Sequence, residues 1–201
     1  MDSAHGCFIG PDITSFNKGI EDKLCSGEYQ KILKVVEGNN LPVFISYSWD
    51  SYNGSLGIPN GRKIIFKDIN VYREFVLEKM DNIINQIGEK RKIVFIGTPP
   101  GNNNKSGLLN CIQRPSYIEI KCSSRMVSNE GQGYQFNLLL QNLSQKNANV
   151  FFWNPYEVFC NDGLCEGIIS HKLMYSDGGH LSKDGSRYYM KEIQYEFLNI
   201  L

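Results

Sequence analysis

The block Tyr175-Ser176-Asp177-Gly178-Gly179-His180-Leu181-Ser182-Lys183-Asp184-Gly185-Ser186 places a carboxylate and an imidazole three residues apart, with two glycines between them. Glycine tolerates the backbone conformations that a tight turn demands. In such a turn Asp177 can accept a hydrogen bond from one ring nitrogen of His180 and leave the other free as a base. That is two thirds of a Ser-His-Asp arrangement, in which the carboxylate fixes the tautomer and stabilises the imidazolium formed when a serine gives up its proton. The same residues also read as a glycine turn that caps a helix, and spacing alone does not separate the two readings.

The elements that must position this pair follow from periodicity. Ser26 is a candidate cap for a helix with Tyr29, Ile32, Leu33 and Val36 at helical spacing, ending at Gly38. Residues 42–47 read as a buried strand, and residues 49–67 as a loop at its carboxyl end, where open α/β sheets place their ligand sites. In that loop Trp49 and Tyr52 either stack on a sugar ring or cover the sheet end. Asp68 caps a long helix carrying Tyr72, Val76, Met80, Ile83 and Ile87, stopped by Gly88. A second apolar strand spans residues 92–98 and breaks at Pro99-Pro100-Gly101. Tyr134, Leu138, Leu139 and Leu143 suggest a third helix, residues 150–153 a third strand, and Tyr189, Ile193, Phe197 and Ile200 one face of a last helix from about Asp184. Residues 1–25 show no sustained periodicity. Strands alternating with helices predict a parallel sheet covered on both faces, a three-layer α/β/α sandwich.

Composition narrows the function classes. The 201 residues, 41% hydrophobic, suffice for one domain spanning 1–201. Basic and acidic residues balance at 21 each, so no net charge draws the chain to nucleic acid, and no nucleic-acid partner is expected. No apolar run reaches the length of a bilayer span, and no signal pattern opens the chain. The six cysteines fall into three local pairs, Cys7 with Cys25, Cys111 with Cys122 and Cys160 with Cys165, which predicts disulfides and an oxidising compartment. A zinc site is the weaker reading, because no Cys-x-x-Cys occurs and His5, His171 and His180 do not accompany the cysteines at finger-like spacing.

With Asp177-Gly178-Gly179-His180-Leu181-Ser182 near its end, the chain resembles the SGNH (GDSL-like) hydrolases, a flavodoxin-like α/β fold. The closer resemblance is to the SGNH domain fused to type-3 membrane acyltransferases, the O-acetyltransferases of cell-surface polysaccharides. Besides the terminal block, the resemblance is carried by Phe44-Ile45-Ser46-Tyr47-Ser48-Trp49 with Tyr52, by Val94-Phe95-Ile96-Gly97-Thr98-Pro99, and by the paired cysteines. It implies a serine nucleophile in a Gly-Asp-Ser block at the end of the first strand, with Asp177 and His180 as its catalytic partners. Met1-Asp2-Ser3-Ala4-His5 echoes that block, but no strand precedes it and no helix pattern follows before Cys7. The expectation is therefore a domain that begins beyond its first strand and its nucleophile, inactive alone. The resemblance also implies an oxyanion hole of a glycine and an asparagine, here Gly54 and one of Asn102, Asn103 or Asn104; a solvated turn is an equal reading of the asparagine tract.

The functional expectation is the C-terminal part of an SGNH acyl-transfer domain that O-acetylates cell-surface polysaccharide. Its partners would be a carbohydrate acceptor and an acyl donor delivered by a membrane acyltransferase domain, its location periplasmic or extracytoplasmic, and its cofactors and metals none. A freestanding carbohydrate esterase with the same triad and a non-catalytic carbohydrate-binding or remnant domain are the alternatives.

Overall fold

A computed structural model of the chain describes residues 6–102, 108–113, 115, 117 and 123–201. In chain order the elements are β1 (Thr14–Asn17), β2 (Ile20–Glu21), α1 (Glu28–Glu37), β3 (Val43–Ser46), β4 (Leu56–Gly57), α2 (Ile69–Ile87) and β5 (Ile93–Ile96). After these come α3 (Leu108–Ile112), β6 (Arg125–Val127), α4 (Tyr134–Gln145), β7 (Val150–Trp153) and α5 (Pro155–Phe159). The chain closes with β8 (Cys160–Asn161), β9 (Leu164–Glu166), β10 (Ile168–Ile169), β11 (Lys172–Leu173), α6 (Lys183–Glu192) and α7 (Gln194–Ile200). They divide into two compact units, Met1–Phe95 with Leu139–Phe152, and Ile96–Leu138 with Trp153–Leu201.

The main sheet has the order β3-β5-β7. Ile93 N–H donates to Asn149 O and, four residues on, Gly97 N–H donates to Trp153 O, so the partner advances in the same direction and the strands are parallel. Parallel strands need helical crossovers, which α2 and α4 supply. The class is mixed α/β with a parallel sheet, as the alternation of strand and helix patterns predicts. Central β5 is the most apolar: Ile93, Val94 and Phe95 are fully buried, as expected of a strand covered on both faces.

In the first unit Asp68 caps α2 as predicted, its carboxylate accepting from the amides of Asn70 and Val71, and Tyr72, Val76, Met80, Ile83 and Ile84 form the buried stripe. The cap of α1 differs from expectation. Gly27 in the left-handed region, with no side-chain bond, holds that place instead of Ser26. The entry segment is also more ordered than its pattern, since β1 pairs antiparallel with both β2 and β4. Cys7 and Cys25 are disulfide-bonded beneath it.

The start of the loop after β3 is packed into the core. Trp49 is wholly buried and its carbonyl accepts from the Tyr72 hydroxyl, while Asp50 receives a two-pronged bond from Arg73 at 2.9 and 2.8 Å. Phe8, Tyr47, Trp49 and Tyr52 pack ring against ring, with centroids 4.8 to 6.2 Å apart. A ring with no exposed surface cannot stack on a sugar, so of the two readings of Trp49 the sheet-covering one holds.

The second unit carries two small antiparallel sheets, β6-β9-β8 and β10-β11, that no sequence period announced. Cys160 and Cys165 are bridged across β8 and β9. The expected third pair, Cys111 with Cys122, lies outside the described residues. No helix among the described residues is long and apolar enough to cross a membrane.

Candidate active site

The carboxylate–imidazole turn is built from both sides of its own hairpin. Tyr175 and Leu181 form an antiparallel bridge, Ser176 N–H donates to His180 O at 2.9 Å, and Ser182 N–H donates to Met174 O at 2.8 Å. Ser182 then serves twice: its hydroxyl donates to Leu173 O at 2.5 Å and accepts from Gly185 N–H at 2.9 Å as the cap of α6. Gly185 is required at that start, because a Cβ there would sit 2.0 Å from Met174 O. The helix-cap reading and the pair reading are both realised, on neighbouring residues.

Within the turn, Asp177 Oδ1 accepts from the amides of Gly179 and His180, each at 2.8 Å, and Oδ2 meets His180 Nδ1 at 2.8 Å. Both carboxylate oxygens are therefore committed. The two backbone donors, and then the imidazole, hold the Asp177 carboxyl down at about 2, well below the usual carboxylate range. An ionised carboxylate only accepts, so Nδ1 of neutral His180 carries the hydrogen and Nε2 keeps its lone pair. Among the described residues none is hydrogen-bonded to Nε2. The His180 side chain is 86% exposed and that of Asp177 51%, so solvent screens the pair and its effect is orientation rather than strong Coulombic attraction.

The loop after β5 holds this turn in place. Asn102 N–H donates to Gly178 O at 2.9 Å, and Asn102 Nδ2 donates to Asp177 O at 2.6 Å. Gly101, at φ 73°, approaches so closely that a Cβ would lie 2.5 Å from Gly178 O. The loop is anchored in turn by Asn137 of α4, which is almost fully buried. Its side chain accepts from Thr98 N–H at 3.0 Å and donates to Thr98 O at 2.9 Å. Gly97 leaves room for that amide, since a Cβ there would approach within 2.8 Å of it.

Of the sequence-predicted residues, Asp177 and His180 are brought into contact, and Asn102 joins them as a brace, with one Nδ2 hydrogen spent on the Asp177 carbonyl. Asn103, Asn104, Ser3 and His5 lie outside the described residues. Gly54 lies within a turn of the first unit, at φ 87°. Sequence reasoning missed Asn137 and Gln132. Asn137 is a buried polar residue on an otherwise apolar helix face, and such a residue calls for a specific partner; that was the available signal. Gln132 stands between two glycines, with its side chain exposed and its Oε1 pressed against Gly179. No group of His, Cys, Asp and Glu that could hold a metal occurs among the described residues.

Comparison with solved structures finds the periplasmic domain of a lipopolysaccharide acetyltransferase from Salmonella ser. Paratyphi A, at TM-score 0.61 and 18% identity, covering 94% of this chain and 69% of that one. A protein of Streptococcus pneumonia, provisionally described as a platelet activating factor, aligns at TM-score 0.41 and 15% identity over 83% of this chain and 91% of that one. At these identities the first likeness speaks to the fold. Comparison with curated proteins gives no match. Sequence supplies the assignment the fold leaves open: the model of the SGNH domain fused to AT3 domains matches residues 3–194, nearly the whole chain, and the chain belongs to that family.

Proposed function

We propose that this chain is part of an acyl-transfer domain that O-acetylates hydroxyls of cell-surface polysaccharide. The observation that carries the reading is Asp177 Oδ2 at 2.8 Å from His180 Nδ1, which leaves Nε2 as a base. In the complete reaction Nε2 takes the proton of a serine hydroxyl as its oxygen attacks the acyl carbonyl, and the imidazolium returns that proton to the leaving group. Nε2 then takes the proton of a sugar hydroxyl as its oxygen attacks the acyl-serine. Collapse of the tetrahedral intermediate releases the acetylated sugar, and the proton goes back to the serine. Asp177 remains ionised throughout. That serine would come from a Gly-Asp-Ser block; Ser3, in the Met1 to His5 segment that echoes one, lies outside the described residues. The acyl donor would arrive through a membrane acyltransferase domain, and the two disulfides support an extracytoplasmic location.

The exposure of His180 favours a second reading, an esterase that uses water as acceptor. Product analysis separates the two. In protein joined to a Gly-Asp-Ser block and supplied with p-nitrophenyl acetate and a methyl glycoside, acetyl transfer predicts an acetylated glycoside by mass spectrometry that disappears in His180→Ala. Free acetate alone supports the esterase, and glycoside binding with no turnover supports a non-catalytic binding domain.

A further inference from the structure

Gln132 is an exposed residue held at its backbone from both sides. Its N–H donates to Pro100 O at 2.9 Å, and its carbonyl accepts from the Tyr156 hydroxyl at 2.8 Å. On one side Gly131 is packed so that a Cβ would fall 2.2 Å from that hydroxyl oxygen. On the other, Gly133 at φ 69° would put a Cβ 2.5 Å from the Thr98 side chain. The backbone at 132 therefore has no freedom, yet the side chain is exposed and its carboxamide makes no hydrogen bond with any described residue. That carboxamide lies against Gly179, where a Cβ would be 2.4 Å from Oε1 and 3.4 Å from Nε2. Gly179 immediately precedes His180 in the turn, and its own N–H is bonded to Asp177 Oδ1. The absence of a side chain at 179 is what lets the amide rest on the turn.

We propose that Gln132 is a specificity-determining residue that hydrogen-bonds the hydroxyl-bearing acceptor beside His180. A carboxamide offers a donor and an acceptor side by side, which suits a sugar hydroxyl pair, each member of which both donates and accepts. The amide faces water, so it does not serve as a desolvated donor to a developing oxyanion, whose stabilisation needs a water-excluded site. It reads the ground-state acceptor, and its rigid backbone lowers the ordering cost of doing so. The proposal rests on the acyl-transfer reading only in taking a carbohydrate hydroxyl as the ligand.

The test uses the ¹⁵N-labelled 201-residue chain and a panel of methyl glycosides of gluco, galacto and manno configuration. At least one is expected to shift the Gln132 side-chain NH₂ and the Gly179 amide together and saturably. Gln132→Ala is expected to weaken that glycoside about tenfold, the worth of one ordinary hydrogen bond. Its unfolding midpoint and the Asp177 carboxyl titration should stay as in the parent, which a merely structural role would not permit. The proposal is overturned if no glycoside moves the Gln132 amide, or if Gln132→Ala binds as the parent does. Loss of the acyl-transfer reading would appear elsewhere, as ester turnover indifferent to His180 in protein joined to a Gly-Asp-Ser block, and would leave the glycoside titration to decide Gln132 by itself.

Discussion

Replacing Asn137 with alanine removes the clamp beneath the site without touching the site. The side chain bonds both the N–H and the carbonyl of Thr98, at 3.0 and 2.9 Å, and both residues are at least 95% buried. Truncation leaves two buried backbone groups without partners, each costing about 1–3 kcal/mol, so the expected loss is about 3–4 kcal/mol. With a urea m-value of about 2.5 kcal/mol/M, the midpoint should fall by roughly 1.4 M at unchanged m. Asn137→Asp is the sharper variant. Its ionised carboxylate would face Thr98 O, so burial and that carbonyl raise its folded pKa above the unfolded value of about 3.9; the protonated acid can still donate. A raised folded pKa means stability retained below about pH 4 and lost as pH climbs through the folded pKa. Urea unfolding of both variants at several pH values is the assay. A loss below about 1 kcal/mol for Asn137→Ala, or a deficit in Asn137→Asp that does not ease on acidification, would refute the clamp.

Further expectations follow from the same geometry. The Asp177 carboxyl should titrate by ¹³C NMR with a midpoint of about 2; because its folded pKa is depressed, its contribution to stability is present above about pH 4 and fades as pH falls towards 2, and a midpoint near 3.9 would contradict the bonding described. In protein joined to a Gly-Asp-Ser block, Gly101→Ala should lower ester turnover while barely changing far-UV circular dichroism, since the added Cβ meets Gly178 O and displaces the turn rather than a helix; unchanged turnover would show that the turn does not need this close approach. Opening Cys7–Cys25, which closes 18 residues, should cost about 3 kcal/mol in urea unfolding, and opening Cys160–Cys165, which closes 5, about 2. Equal or inverted losses would show that loop length does not govern them.

The parts of this fold that could be read from sequence are those with enough residues to establish a period or a cap. Helix α2 repeats its apolar positions over 19 residues and opens on an aspartate, and β5 and β7 are apolar runs bounded by turn residues. Strands β8, β10 and β11 have two residues each, too few to show alternation. Helix α4 turns another face inward than its leucines suggest: Leu138 is exposed, while Phe136, Asn137, Leu140 and Leu143 are buried, and Asn137 meets Thr98 from that inward face. The Asp177–His180 contact was legible because its chemistry is local, three residues and two glycines. Its supports were not, since Asn102 reaches across 75 residues and Asn137 across 39.

The most direct test of the central claim, that Asp177 orients His180 as the base of an acyl transfer, is steady-state hydrolysis of p-nitrophenyl acetate by the domain extended with an upstream Gly-Asp-Ser block. The unextended chain and its Ser3→Ala variant are assayed alongside it. The extended protein should turn over, and should lose about 10²-fold or more of kcat in Asp177→Asn, which forces the wrong tautomer, and in His180→Ala, which removes the base. An extended protein that turns over but is indifferent to both substitutions would contradict the account.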